Sequence, residues 1–447
     1  MKGDLTKGPV MGSMLLFAVP MILGNLLQQC YNIVDTLIVG RYLGSEALAA
    51  VGSSYTLMVF LTSILLGLCM GSGALFSIRF GQKDEDGLKE SIFASFLFIG
   101  TLSLLLTAVV FLLTDRLSGL LNIPPEVWPQ MRTYLLIIFA GIPATFFYNY
   151  FASLLRAVGR SGAPLLFLAL SALVNIALDL YFIIGLSWGV SGAALATIIA
   201  QYLSGLGLAL YTLLAFPSLR IAKRHLCLRA STLKTIGSFS LLTCLQQSVM
   251  NLGILMVQGL VNSFGTAVMA AFAAACKVDS FAYMPVQDFG NAFSTFVAQN
   301  YGAGLRDRIR TGIRGAVLTA GLFCTAVSAA VWLFAEPLLL LFTDPADPSA
   351  AAIVSVGVQY LHIEGAFYIG IGFLFLLYGL YRALARPGMS LVLTVISLGS
   401  RVVLAHLLSA IPAIGVTGIW WSVPIGWALA DLFGFLYYRH HRRALLP

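Results

Sequence analysis

The chain has 447 residues, 59% of them hydrophobic and only 10% charged, with a formal net charge of +8. Soluble domains carry about 25% charged residues, so this composition excludes a soluble enzyme, a disordered chain, a coiled coil and a secreted disulfide scaffold. It demands lipid as solvent. The basic excess would suggest nucleic acid in a soluble protein, but in a membrane protein it reflects Lys and Arg held on one side, and no nucleic-acid partner is expected.

In chain order, apolar runs fall at about 10–39, 47–78, 91–113, 132–154, 163–185, 190–215, 235–262, 266–298, 312–342, 351–380, 388–411 and 415–438. Each is long enough to cross a bilayer, and Gly, Pro and charge punctuate the breaks. The predicted fold class is an all-α polytopic membrane protein with twelve transmembrane helices. Pro20, Pro143, Pro285 and Pro424 fall inside spans, where kinks are expected. The six cysteines form no CxxC pair, and they read as small packing residues.

The basic residues test the span count. With both termini on one side, that side holds Lys2, Lys7, Arg79, Lys83, Lys89, Arg156, Arg160, the linker residues Arg220, Lys223, Arg224, Arg229 and Lys234, then Arg306, Arg308, Arg310, Arg314, Arg382, Arg386, Arg439, Arg442 and Arg443. The other side holds only Arg41, Arg116 and Arg132, while Lys277 and Arg401 fall within spans. One missed helix would scramble this asymmetry, which places both termini in the cytoplasm.

The two halves are copies. At an offset of 221, Gly44-Ser-Glu-Ala-Leu-Ala-Ala matches Gly265-Thr-Ala-Val-Met-Ala-Ala. At an offset of 226, Arg156-Ala-Val-Gly-Arg-Ser-Gly162 matches Arg382-Ala-Leu-Ala-Arg-Pro-Gly388, and Gly189-Val-Ser-Gly192 matches Gly415-Val-Thr-Gly418. A six-span repeat gives two pseudo-symmetric lobes of the same topology, 1–215 and 235–447, joined by a basic linker, 216–234. Two such lobes imply a central cavity and alternating access. No HExxH, GxSxG or P-loop competes, so an enzyme is not expected, nor is a bound cofactor.

Polar residues present in one copy only are the functional candidates. Asp35 corresponds to Met256, and Asn175 and Asp179 correspond to Arg401 and Ala405. An intramembrane carboxylate costs upward of roughly 2.5 kcal/mol at a helix centre and needs a reason. At about 1.5 Å per residue, Asp35, Asp179 and Thr197 lie roughly 8–10 Å below the outer ends of spans one, five and six, with Asn175 one turn deeper. Two carboxylates sharing a low-dielectric layer must take up a proton or a cation such as Na⁺, which makes Asp35, Asn175, Asp179 and Thr197 a coupling site for H⁺ or Na⁺. In the second lobe, Gln246, Gln247, Lys277, Glu364 and Arg401 fall at similar depth, with His362 beside them. They are expected to form a polar cavity set with a buried Lys277–Glu364 pair. Asp279 lies on the same span, while Asp288 and Asp431 are expected near the inner ends in solvated positions.

The run Pro20-Met-Ile-Leu-Gly-Asn-Leu-Leu-Gln-Gln-Cys-Tyr-Asn-Ile-Val-Asp35-Thr-Leu-Ile-Val-Gly40, then Gly44 and Ala47-Leu-Ala-Ala-Val-Gly52, resembles the first-helix signature of the multidrug and toxic compound extrusion (MATE) transporters of the MOP flippase superfamily. So do Gln299-Asn300-Tyr-Gly302-Ala-Gly304 and Arg156-Ala157-Val-Gly159. The resemblance covers essentially the whole chain. It implies export of organic cations and amphipathic drugs against an H⁺ or Na⁺ gradient. It also implies an N-lobe site at Asp35, Asn175, Asp179 and Thr197, a pattern similar to the DinF-like branch. Branches with a glutamate in helix seven find Gln246 and Gln247 here instead. The expectation is a monomeric, multi-pass antiporter of a bacterial or archaeal plasma (inner) membrane, with lipid around it and amphipathic or cationic small molecules as substrates. The alternative is a flippase for a lipid-linked precursor.

Overall fold

The computed structural model describes residues 3–120, 127–342 and 349–445. The helices are α1 (Val10–Leu43), α2 (Ser45–Gln82), α3 (Glu85–Leu120), α4 (Trp128–Phe139), α5 (Ile142–Ala157), α6 (Gly162–Asp179), α7 (Gly189–Ala215), α8 (Ala230–Asn262), α9 (Thr266–Gly302), α10 (Arg306–Leu333), α11 (Ala335–Leu340), α12 (Ala350–Gly365), α13 (Tyr368–Ala383), α14 (Pro387–Ser409) and α15 (Thr417–Leu445). Among the described residues, ten helices are long and apolar enough to cross a membrane, and two bent pairs, α4 with α5 and α12 with α13, make up twelve. Backbone groups in lipid must be satisfied within their own segment, which is why long apolar runs take this form.

The sequence repeat is written into the backbone. Left-handed residues occur in pairs at the repeat offsets: Gly44 with Gly265, Lys83 with Gly304, Gly159 with Ala385, and Gly189 with Gly415. The two bends, 44° after Phe139 and 51° after Gly365, also sit at equivalent places. Pro143 stands at the first bend, but its counterpart, Ile369, is no proline, so the break belongs to the repeat and not to the imino acid. Pro20, Pro285 and Pro424 lie inside helices that continue through them. One feature is not duplicated: Leu180–Gly185, directly after Asp179, is a π-helix. Wide turns of this kind cluster at functional sites.

The chain divides into two compact units, Met1–Asp4 with Val19–Cys244, and Leu5–Ala18 with Leu245–Pro447. The boundaries fall inside α1 and α8, not in the linker. The first unit is built on an aromatic core in which Phe96 packs with Phe146, Phe147, Tyr150 and Phe151 at centroid distances of 5.4–6.3 Å. Here α2 meets the start of α8 closely, with Ser72 and Ser240 hydroxyls 2.8 Å apart. In the second unit Phe272 stacks on Trp420 at 5.6 Å, and Tyr360 meets the same indole edge-on at 4.9 Å. A Cβ on Gly379 would stand 2.6 Å from the carbonyl oxygen of Gly290, so α9 and α13 pack backbone to backbone only because both residues lack side chains.

The Gln299-Asn300 motif has a structural task in the second unit. Gln299 Oε1 accepts the Leu5 N–H at 3.0 Å, and Asn300 Nδ2 donates to the Leu5 carbonyl at 3.2 Å. Arg308 donates to the carbonyls of Gly8 at 2.9 Å and of Leu5 and Lys7 at 3.2 Å. A segment with no helix of its own is thereby held by side chains.

Candidate functional site

The first unit carries a small apolar cluster beside the predicted site. Ile38 and Val39 of α1 pack there with Tyr134 and Ile138 of α4, Ile183, and Ala193 and Ala194 of α7, and Val34, Ile176 and Ile198 lie against it. Residues three to four positions apart share a helix face. Packing Val34 and Ile38 inward therefore turns Asp35 toward the same layer, and Ile176 and Ile183 do the same for Asp179. The Asp35 and Asp179 carboxyls lie within hydrogen-bond reach of one another, so the pair can share a proton but, as two carboxylates, has none to share. Tyr31 and Tyr134 both lie in the field of the two acids, and Tyr55 neighbours Tyr31.

Asp179 is fully buried and Asn175 almost so, while Asp35 is half-buried. Asp35 Oδ1, both oxygens of Asp179 and both amide atoms of Asn175 are buried without a hydrogen-bond partner. Native proteins pair nearly all such groups, and the exceptions call for an explanation. Thr197 spends its proton on its own helix, donating to the Ala193 carbonyl at 3.0 Å, which leaves its lone pairs free. The first-unit candidates thus comprise Asp35 and Asp179 as neighbours, Asn175 one turn along the Asp179 face, and Thr197 on α7, the helix packed against α6. The donor set is oxygen-rich and anionic, which suits a proton or a hard monovalent cation. Among the described residues no group of three or more His, Cys, Asp or Glu side chains gathers to hold a metal ion.

The second unit corrects the expected pairing. Lys277 is exposed and lies over the Phe342 ring at 5.5 Å, away from Glu364. The charges facing Glu364 are Asp279 and Arg401. Asp279 is buried and accepts hydrogen bonds from the Tyr360 hydroxyl at 2.7 Å and from the Tyr368 hydroxyl. Glu364 Oε2 and Arg401 Nε are buried without partners. His362 turns to the other side of its helix, stacking on Trp332 at 4.8 Å with Nε2 3.0 Å from the Trp332 carbonyl oxygen. Gln246 is buried and Gln247 half-buried. Asp288 and Asp431 are not solvated as expected: Asp288 is 4% exposed, and Asp431 Oδ1 is buried without a partner.

Sequence reasoning missed the tyrosines and Asp279. Tyr31 stands one turn before Asp35, so helical spacing alone could have drawn it into the site. Tyr360 stands in the same relation to Glu364 on α12, while Tyr134 and Tyr368 come from other helices and carry no local signal.

Comparisons with known proteins point the same way. The MatE family model matches residues 20–181 and 240–407, one segment in each copy of the repeat. YpnP of Bacillus subtilis (strain 168), named a probable multidrug resistance protein, is 32% identical over 445 residues, covering 98% of this chain and 97% of its own. A MOP superfamily transporter from Pyrococcus furiosus, whose pocket of reverse polarity suggests a different function, superposes with a TM-score of 0.92 at 26% identity, over 100% of this chain and 99% of that one. An outward-facing multidrug resistance MATE transporter does so with a TM-score of 0.92 at 25% identity and the same coverage. Matched in both halves by one family model and end to end by a relative above 30% identity, this all-helical chain belongs to the MATE family of membrane transporters.

Proposed function

We propose that the protein exports amphipathic and cationic small molecules across the plasma membrane by alternating access, driven by H⁺ or Na⁺ taken up at Asp35 and Asp179. The observation that carries this reading is the set of buried, unpartnered oxygens on Asp35, Asp179 and Asn175. Two carboxylates cannot both stay ionised and unpaired in low dielectric, so the site holds its charge at low cost only with a bound cation or proton. An ion that binds one conformation better than another shifts the equilibrium by that difference in affinity, and by no more. The names of the relatives support drug export.

The test is dye efflux in vesicles with an imposed ΔpH or ΔNa⁺. Wild type should export ethidium only when the correct gradient is present. Asp35→Asn and Asp179→Asn should insert normally and lose the gradient-driven component. Unchanged efflux by both variants would remove the coupling role. Failure of wild type to move any cationic dye, together with flipping of a lipid-linked precursor, would favour the flippase reading.

A further inference from the structure

The first unit contains an apolar cavity that transport at Asp35 does not use. It measures about 160 Å³ and is walled by α3, α5, α7 and the linker, with Phe93, Tyr150, Thr212, Leu213, Leu219 and Ile221 among its lining residues. Its polar atoms are already satisfied from within. Thr212 donates to the Leu208 carbonyl at 2.7 Å, and the Tyr150 hydroxyl donates to the Ile92 carbonyl at 2.6 Å. A polar guest would therefore find no partner, whereas hydrocarbon would gain burial. The cavity lies within a few turns of the ends of α3, α5 and α7 that carry the basic linker, which is the depth at which a bilayer passes from acyl chain to headgroup.

The mouth is cationic. Leu213 and Ile221 are both exposed there, at 48% and 37%. Arg220, between the two lining residues Leu219 and Ile221, is anchored on the cavity wall: its Nε donates to the Leu213 carbonyl at 2.7 Å and Nη2 reaches the Leu214 carbonyl at 3.5 Å. Among the described residues Nη1 has no hydrogen-bond acceptor. Lys223 follows three residues later along extended backbone and is exposed. The acids of the neighbouring α3 terminus are already engaged. Asp86 pairs with Arg224 at 2.9 Å and His225 at 2.8 Å, Glu90 with Arg229 at 3.2 Å, and Glu85 with Lys89 at 3.7 Å. Among the described residues no carboxylate lies within ion-pair distance of Arg220 or Lys223, so the local balance at the mouth is positive. Leu226 and Leu228, each 54% exposed, follow these cations in the linker, so the segment mixes basic and apolar side chains as those at a lipid interface do.

We infer that this cavity is a binding site for an anionic glycerophospholipid, one acyl chain entering between α3, α5 and α7 and the phosphate resting on Arg220 and Lys223. The combination is specific: a dry hole that rewards only hydrocarbon, and a rim with unneutralised cations within reach of its mouth. A neutral phospholipid would satisfy the hole and not the rim. A soluble phosphate would satisfy the rim and not the hole.

Native mass spectrometry of the full chain in detergent tests this, titrated with phosphatidylglycerol, phosphatidylcholine or glycerol phosphate. Phosphatidylglycerol should be retained in preference to both others. Lys223→Glu and Ile221→Glu place negative charge at the mouth without touching the core, and each should weaken phosphatidylglycerol retention at least about fivefold. Phe93→Trp, which fills the cavity and leaves the charge unchanged, should weaken it comparably. Equal retention of phosphatidylcholine, or phosphatidylglycerol retention unchanged in Ile221→Glu and in Phe93→Trp, would overturn the site. Gradient-driven dye efflux is a separate readout, so failure of the lipid site leaves the transport reading standing, and the reverse holds too.

Discussion

Asp179 has no exposed surface and its carboxyl faces another acid, Asp35, so without a bound cation or a shared proton it works against the fold. Replacing a buried, unpaired charge with a neutral isostere is often neutral or stabilising. Asp179→Asn is therefore expected to melt at the same temperature as wild type or above it in detergent, while losing gradient-driven efflux. A clear drop in melting temperature would mark Asp179 as a structural residue. The second unit offers a sharper contrast between two cations. Lys277 is exposed and lies over an aromatic ring, so Lys277→Met should change stability by no more than about 1 kcal/mol. Arg401 faces both Asp279 and Glu364, so Arg401→Met leaves two buried acids without that opposing charge and should cost on the order of 3–5 kcal/mol. Chemical unfolding in detergent separates the two, and equal effects would refute the assignment of Arg401 as their counter-charge.

At the scale of the helix, depth was legible in the sequence and direction was not. Counting residues from a span's end places a side chain to within a turn. Lys277 and Asp279 are two residues apart, which is about 200° around the helix axis. They share a layer and point to opposite sides, as do His362 and Glu364. The expected Lys277–Glu364 pair failed for that reason. Asp35 and Asp179 were easier to place, because the apolar neighbours Val34, Ile38, Ile176 and Ile183 fix which face of each helix turns inward. The bend after Gly365 was hidden because no proline announces it. The hold on the N-terminal segment was equally invisible, since it joins residues about 300 positions apart through side-chain-to-backbone bonds. Arg308 supplies three of those bonds, so Arg308→Ala should speed tryptic cleavage at Lys7 several-fold with little change in cleavage elsewhere. Unchanged cleavage at Lys7 would show that Gln299 and Asn300 suffice to hold the segment.

At the scale of the whole chain, hydropathy, basic asymmetry and internal repeat together carried the architecture, because lipid leaves so few ways to satisfy a backbone. The repeat proved deeper than its sequence matches. Lys83 shares its left-handed backbone with Gly304, and Ala385 with Gly159, although side-chain identity is gone. Duplication preserved turns and bends and let the polar residues diverge, which is why Asp35 and Asp179 belong to one copy and Asp279, Glu364 and Arg401 to the other. What the sequence could not convey is the division of the chain, because nothing in its composition marks a boundary in mid-helix.

That division has a consequence for any attempt to dissect the protein. The breaks at Ala18/Val19 and Cys244/Leu245 both fall inside the first helix of a copy, so each copy gives the opening turns of that helix to the other unit. Fragments 1–229 and 230–447 produced separately should each be degraded or aggregate, and only their co-expression should recover membrane-inserted protein. Stable accumulation of either fragment alone would mean that the borrowed turns are dispensable.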